Sequence, residues 1–128
     1  MRPPRLTCWP VLLFLAVVAF AANAQSVQVT GFFSNMEYFD ETGDVVGMEV
    51  FILYSSGGYW VLFQDAQGAP AAPVLVKAAI TGDALEFTLP ASAGLGSFKG
   101  QVTASALVGK FSGMQKAIRL PRAKSYWQ

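Results

Sequence analysis

Histidine is absent from the 128-residue chain, and its one cysteine, Cys8, stands near the start. Without histidine, or any cysteine from residue 9 onward, the common zinc sites, cysteine nucleophiles and Ser-His-Asp triads cannot be built in the rest of the chain. No Gly-x4-Gly-Lys-[Ser/Thr] stretch occurs, so a phosphate-cradling P-loop is excluded as well. Charged residues make up only 13% of the chain. The acidic cluster Asp40, Glu41 and Asp44 offers too few oxygens for calcium and lacks the calcium-loop spacing; it reads as a solvated turn. Glu37 and Glu49 are expected to be neighbours across a first hairpin, both pointing to solvent. An acid–base pair would need burial to split its two pKa values. No catalytic residue, metal or cofactor is expected.

The long hydrophobic runs of a helical membrane protein are also missing. The one unbroken stretch, Val11 to Ala21, has eleven residues, about half of what a spanning helix needs. Arg2 and Arg5 precede it, and Ala22-Asn23-Ala24 follows with an A-x-A pattern. Together these form the signature of a secretory signal peptide over residues 1–24. The expected product is a single domain, residues 25–128, exported to the periplasm or outside the cell with no membrane span left after cleavage. Cys8 leaves with the signal. Removing Arg2 and Arg5 leaves seven basic and eight acidic side chains, which gives no reason to expect a nucleic-acid partner. The acids lie early and the bases late, so cross-strand charge pairing is expected where the first and last strands of a barrel meet.

What the domain does have is short apolar runs separated by glycine-rich turns. Eight runs between Val27 and Leu120 read as strands, which predicts an all-β fold: one small antiparallel meander β-barrel. Val46, Met48, Val50, Ile52 and Tyr54 share one parity, as do Val74, Val76, Ala78 and Ile80, and Leu85, Phe87 and Leu89. Each set is expected to face inward. A turn at Gly82-Asp83 sets Ile80 against Leu85. One at Gly113-Met114 sets Gly109 against Ile118, and Gly57-Gly58 closes the second and third runs. Several strands have five to seven residues, shorter than an outer-membrane barrel requires.

The segment "GSFKGQVTASALVGKFSG" folds on itself with Phe98 facing Phe111, Gly100 facing Gly109 and Val102 facing Leu107. Glycine opposite glycine has three readings. The pair marks a bend, or it admits a large side chain such as Tyr54 or Phe63, or it floors a cavity. On the cavity reading, Tyr54, Phe63, Phe98, Gly100, Gly109 and Phe111 are the ligand-binding residues. The domain also carries fourteen aromatic residues among 104. Parity places Phe51, Trp60 and Leu62 outside. Either they form a partner-binding face together with Trp127, or the C-terminal Tyr126-Trp127 covers them.

"FKGQV…LVGKF" followed by "AIRLPR" resembles the closing hairpins of small secreted lipocalin-like barrels of bacterial envelopes. Gly31-Phe32-Phe33 stands nearest to the Gly-x-Trp signature of true lipocalins. A second likeness is to small periplasmic inhibitor barrels. Both resemblances imply a binding protein and not an enzyme. The first implies a small apolar or amphipathic ligand, inside the barrel or on the outer aromatic patch. The second implies an envelope protein as partner, engaged through the outer face.

Overall fold

The computed structural model describes residues 26–128. The expected signal peptide and Cys8 lie outside the described residues. Nine strands follow in order: β1 (Gly31–Ser34), β2 (Glu37–Phe39), β3 (Asp44–Ser55), β4 (Gly58–Gly68), β5 (Val74–Thr81), β6 (Ala84–Thr88), β7 (Ser97–Val102), β8 (Ala106–Phe111) and β9 (Ile118–Pro121). All pairs are antiparallel. Eight strands run in the order β1-β3-β4-β5-β6-β7-β8-β9, and β2 continues the line of β1 along β3. The meander nearly closes on itself. Phe33 bridges to Arg122, and the Ala123 N–H donates to the Phe32 carbonyl at 3.2 Å. The fold is therefore all-β, a single antiparallel barrel of eight strands.

The expected registers hold where two inward faces must meet. Ile80 pairs with Leu85 and Ala78 with Phe87. Phe98 pairs with Phe111, Gly100 with Gly109, and Val102 with Leu107. Gly109 pairs with Ile118 and Leu107 with Leu120, although residues 112–117 form a longer loop than the two-residue turn expected. A slip of one residue in any of these pairs would turn a buried row to solvent. The β3–β4 turn differs slightly. Ser55 pairs with Gly58, so Ser56 and Gly57 are the central residues rather than Gly57 and Gly58. Parity is preserved but the register moves by two residues: Ile52 meets Val61 inside, where the expected turn would have set it against Phe63.

Strand β3 departs from the expected single inward face. Val50 and Ile52 are buried, but Val46 is 45% and Tyr54 63% exposed. The reason is length. Twelve residues span roughly 40 Å at the usual rise per residue, far more than the four residues of its neighbour β1 can cover. Beyond Ile52, β1 no longer runs beside β3. Tyr54 therefore stands on a projecting hairpin tip, edge-on to Tyr59 with ring centroids 5.0 Å apart. At the other end, Val46 pairs with the exposed strand β2.

Charge pairing between early acids and late bases is not what closes the barrel. Among the described residues the one ion pair is Lys99–Glu86, 3.9 Å apart, between neighbouring strands β6 and β7. Strand β1, which lies between β3 and β9, is short and uncharged, so the acids of β3 never sit beside the bases of β9. Beside the backbone contacts of Phe32 and Phe33, the seam is held by one side chain. The Arg122 guanidinium lies 4.5 Å over the Phe33 ring. Its Nη1 donates to the Thr30 carbonyl, its Nη2 to those of Gln28 and Thr103, and its Nε to that of Ala104.

Candidate functional site

The interior is packed. Phe63, Phe98 and Phe111 are each at most 2% exposed. With Phe87 they form an aromatic cluster whose ring centroids lie 5.1–5.9 Å apart, the range of favourable offset and edge-to-face contact. Val50, Ile52, Val61, Leu85, Leu107 and Leu120 complete the core. Leu89 and Leu95 are buried at one end, and Val27 and Val29 pack against the core from the N-terminal segment.

Gly100 and Gly109 make room for a close approach, but the side chain that enters is Phe98 itself. A Cβ on Gly109 would stand 2.5 Å from the tip of the Phe98 ring and 2.6 Å from the Gly100 Cα. A Cβ on Gly100 would stand 2.7 Å from the same ring. The ring lies back over both glycines and occupies the space that a cavity would need. Neither Tyr54 nor Phe63 fills the gap, and Tyr54 does not reach the interior at all. Of the six residues expected to line a ligand cavity, Phe63, Phe98 and Phe111 form core, Gly100 and Gly109 are half-buried against the Phe98 ring, and Tyr54 projects into solvent.

The outer face is different. Phe32 stacks on Phe51 with centroids 4.1 Å apart and an interplanar angle of 8°. Phe51 pairs with Leu62, and Leu62 with Leu75. An apolar row thus crosses four strands, and its far members are open, Leu62 at 37% and Leu75 at 57% exposure. Beside it runs a second row, Leu53, Trp60 and Lys77. The Lys77 ammonium stands 5.8 Å from the Trp60 ring centroid, within cation–π range. From Trp60 and Leu75 an open groove of about 750 Å³ extends over β5 and β6 to Ser97 and Lys99 on β7, with Glu86 and Thr88 on its floor.

The C-terminal segment covers the opposite flank of the apolar row. Glu49, expected on the surface, is only 6% exposed. Its carboxylate accepts hydrogen bonds from the Ser125 hydroxyl at 2.6 Å and the Tyr126 N–H at 2.7 Å. The Trp127 indole N–H donates to Gln64 Oε1 at 2.8 Å. Glu49 and Gln64 are cross-strand partners one step along from Phe51 and Leu62. The tail is therefore seated on the neighbouring row, while Trp127 is itself 61% exposed. Covering and exposure hold on adjacent rows of the same face.

Parity places Phe51, Trp60, Leu62 and Lys77 outside, and Leu75, which follows by the same rule, is the member missed. The signal was present, because the inward set Val74, Val76, Ala78 and Ile80 turns Leu75 and Lys77 outward. No local signal marked Glu49, whose partners lie 76 and 77 residues further along. Among the described residues, no three His, Cys, Asp or Glu side chains converge as a metal site, and no helix is long and apolar enough to cross a membrane. A nearly closed antiparallel barrel of eight strands is consistent with calycin- and lipocalin-type barrels, and with small-molecule binding in general. Comparison with protein-family models, with curated proteins and with solved structures finds no match to this chain.

Proposed function

We propose that this chain is an exported, non-catalytic binding protein of lipocalin-like kind, taking an apolar or amphipathic small ligand on the outside of the barrel. The observation that carries the reading is a contrast. The interior is filled by the Phe63, Phe87, Phe98 and Phe111 rings, while Trp60 and Leu75 head an open groove of about 750 Å³. That volume falls in the range of small-molecule sites, which join apolar walls to a few placed polar groups. Trp60 supplies a broad apolar surface, and Lys77, Glu86 and Lys99 supply charge along the groove. Export to the periplasm or beyond is part of the proposal and rests on the signal-peptide signature of residues 1–24.

Trp60→Ala tests the site. Titration of octyl phosphate into the purified protein is expected to show at least fivefold weaker binding in the variant. The melting temperature should shift by only a few degrees, since Trp60 lies outside the core. Undiminished affinity in Trp60→Ala contradicts an outer site.

The row Phe32, Phe51, Leu62 and Leu75 favours a second reading, an envelope protein as partner. An apolar strip across four strands, bordered by the exposed Trp127, is the kind of surface that marks protein interfaces. A barrel that binds no small amphiphile, but releases a co-purifying envelope protein on Phe51→Ser, belongs to this second reading.

A further inference from the structure

Strands β7 and β8 place Lys99 directly opposite Lys110. Like charges in direct cross-strand register are destabilising, and only Lys99 has an acidic partner, Glu86, at 3.9 Å. The next outward position along each strand carries a hydroxyl. The Ser97 and Thr88 hydroxyls are bonded to each other at 2.8 Å. Ser112 Oγ accepts the Ser97 N–H at 2.9 Å, which leaves its own proton free to donate. That bond positions the oxygen, and the absence of a side chain at Gly96 (φ +76°) leaves the room it occupies. Ser97, Lys99, Lys110 and Ser112 line a concavity of about 230 Å³. Ser97 and Lys99 also line the groove that begins at Trp60, so the two spaces lie on either side of these β7 side chains.

We propose that the ligand is an anionic amphiphile. Its oxyanion head group is held by the Lys99 and Lys110 ammoniums and the Ser112 hydroxyl, and its apolar chain runs along the groove to Leu75 and Trp60. This rests on the outer-groove reading above and names the ligand class for it. Two facing lysines that share a single carboxylate partner, Glu86, and a free hydroxyl proton complement an oxyanion, since charge-assisted hydrogen bonds are the stronger kind. The repulsion between the two lysines is relieved when the anion arrives. The groove supplies what a head-group site alone lacks, an apolar wall for the chain.

Calorimetric titration with three probes tests it: octyl phosphate, 1-octanol and inorganic phosphate. Octyl phosphate is expected to bind at least tenfold tighter than octanol, with inorganic phosphate weaker than either. Added salt should weaken the octyl phosphate complex and spare the octanol one. Lys110→Glu is expected to raise the melting temperature, because Glu86, Lys99 and position 110 would then alternate in charge across three strands. The same change should cut octyl phosphate affinity at least tenfold and leave octanol affinity in place. A purely structural role for the lysines cannot move stability and binding in opposite directions. Glu86→Gln, which frees Lys99, should tighten octyl phosphate binding severalfold. Equal affinity for octyl phosphate and octanol, or unchanged affinity in Lys110→Glu, overturns the head-group assignment and leaves the groove standing. Inorganic phosphate binding as tightly as octyl phosphate overturns the amphiphile and leaves an anion site. Failure of both octyl probes to bind overturns this inference and the groove reading together.

Discussion

Gly109→Ala is expected to lower the melting temperature by about 15 °C, although it adds a single methyl group. The added carbon would stand 2.5 Å from the Phe98 ring and 2.6 Å from the Gly100 Cα, and closer still to the Lys99 carbonyl. Two of these three neighbours are backbone atoms of the paired strand, which cannot rotate away. The strands would have to separate, or the Phe98 ring would have to leave its place among Phe87 and Phe111. Overpacking of this kind costs about 3 kcal/mol, which in a domain of this size corresponds to roughly 12–24 °C. Gly82→Ala serves as the control. Gly82 has a φ of +62° and no atom near its missing Cβ, so that change carries backbone strain alone, about 1 kcal/mol. Thermal melts followed by circular dichroism separate the two. If Gly109→Ala melts no lower than Gly82→Ala, free space exists beneath the glycine pair and the filled interior is wrong.

Arg122→Ala is expected to be as damaging by a different route. One guanidinium joins the N-terminal segment at Gln28 and Thr30 to the β7–β8 turn at Thr103 and Ala104, and covers Phe33. The chain separation between these partners exceeds 90 residues for Thr30 and Gln28. Truncation removes four donors from backbone carbonyls and uncovers a ring that is otherwise wholly buried. Hydrogen bonds from a charged group are each worth about 1.5–3 kcal/mol. Two of the four are solvent-exposed and so contribute less. A total loss of about 3 kcal/mol follows, together with fraying of residues 26–30. Limited proteolysis should then cut the N-terminal segment of Arg122→Ala while the wild-type barrel resists. Arg122→Lys keeps the charge but not the planar fork, and should lie between the two. A wild-type melting curve for Arg122→Ala would show that the seam is held elsewhere.

The barrel was legible in the sequence because its faces alternate. Leu85, Phe87 and Leu89 against Glu86 and Thr88 leave one inward choice, and the glycine pair fixes the β7–β8 register by itself. Parity does not report where a strand outruns its neighbours, and so Tyr54 and Val46 were misplaced. Their identities suit an interior, but the strand pairing around them puts them past its ends. The role of Phe98 was hidden for a related reason. Glycine opposite glycine announces a space, but only the ring's direction says what occupies it. The outer site was half legible. Trp60 and Leu62 followed from the turn, whereas Glu49 becomes intelligible only when the last four residues are seen folded against it. Long-range contacts of that kind leave no periodic trace.

The central claim is that this barrel is solid and binds on its outer surface. Intermolecular nuclear Overhauser effects between octyl phosphate and the protein test it most directly. Contacts are expected from the alkyl chain to the Trp60 indole and the Leu75 methyls, and none to the methyls of Ile52, Leu107 and Leu120, which are wholly buried in the core. Contacts from the chain to the Ile52, Leu107 and Leu120 methyls would contradict it, and would place the ligand inside the barrel after all.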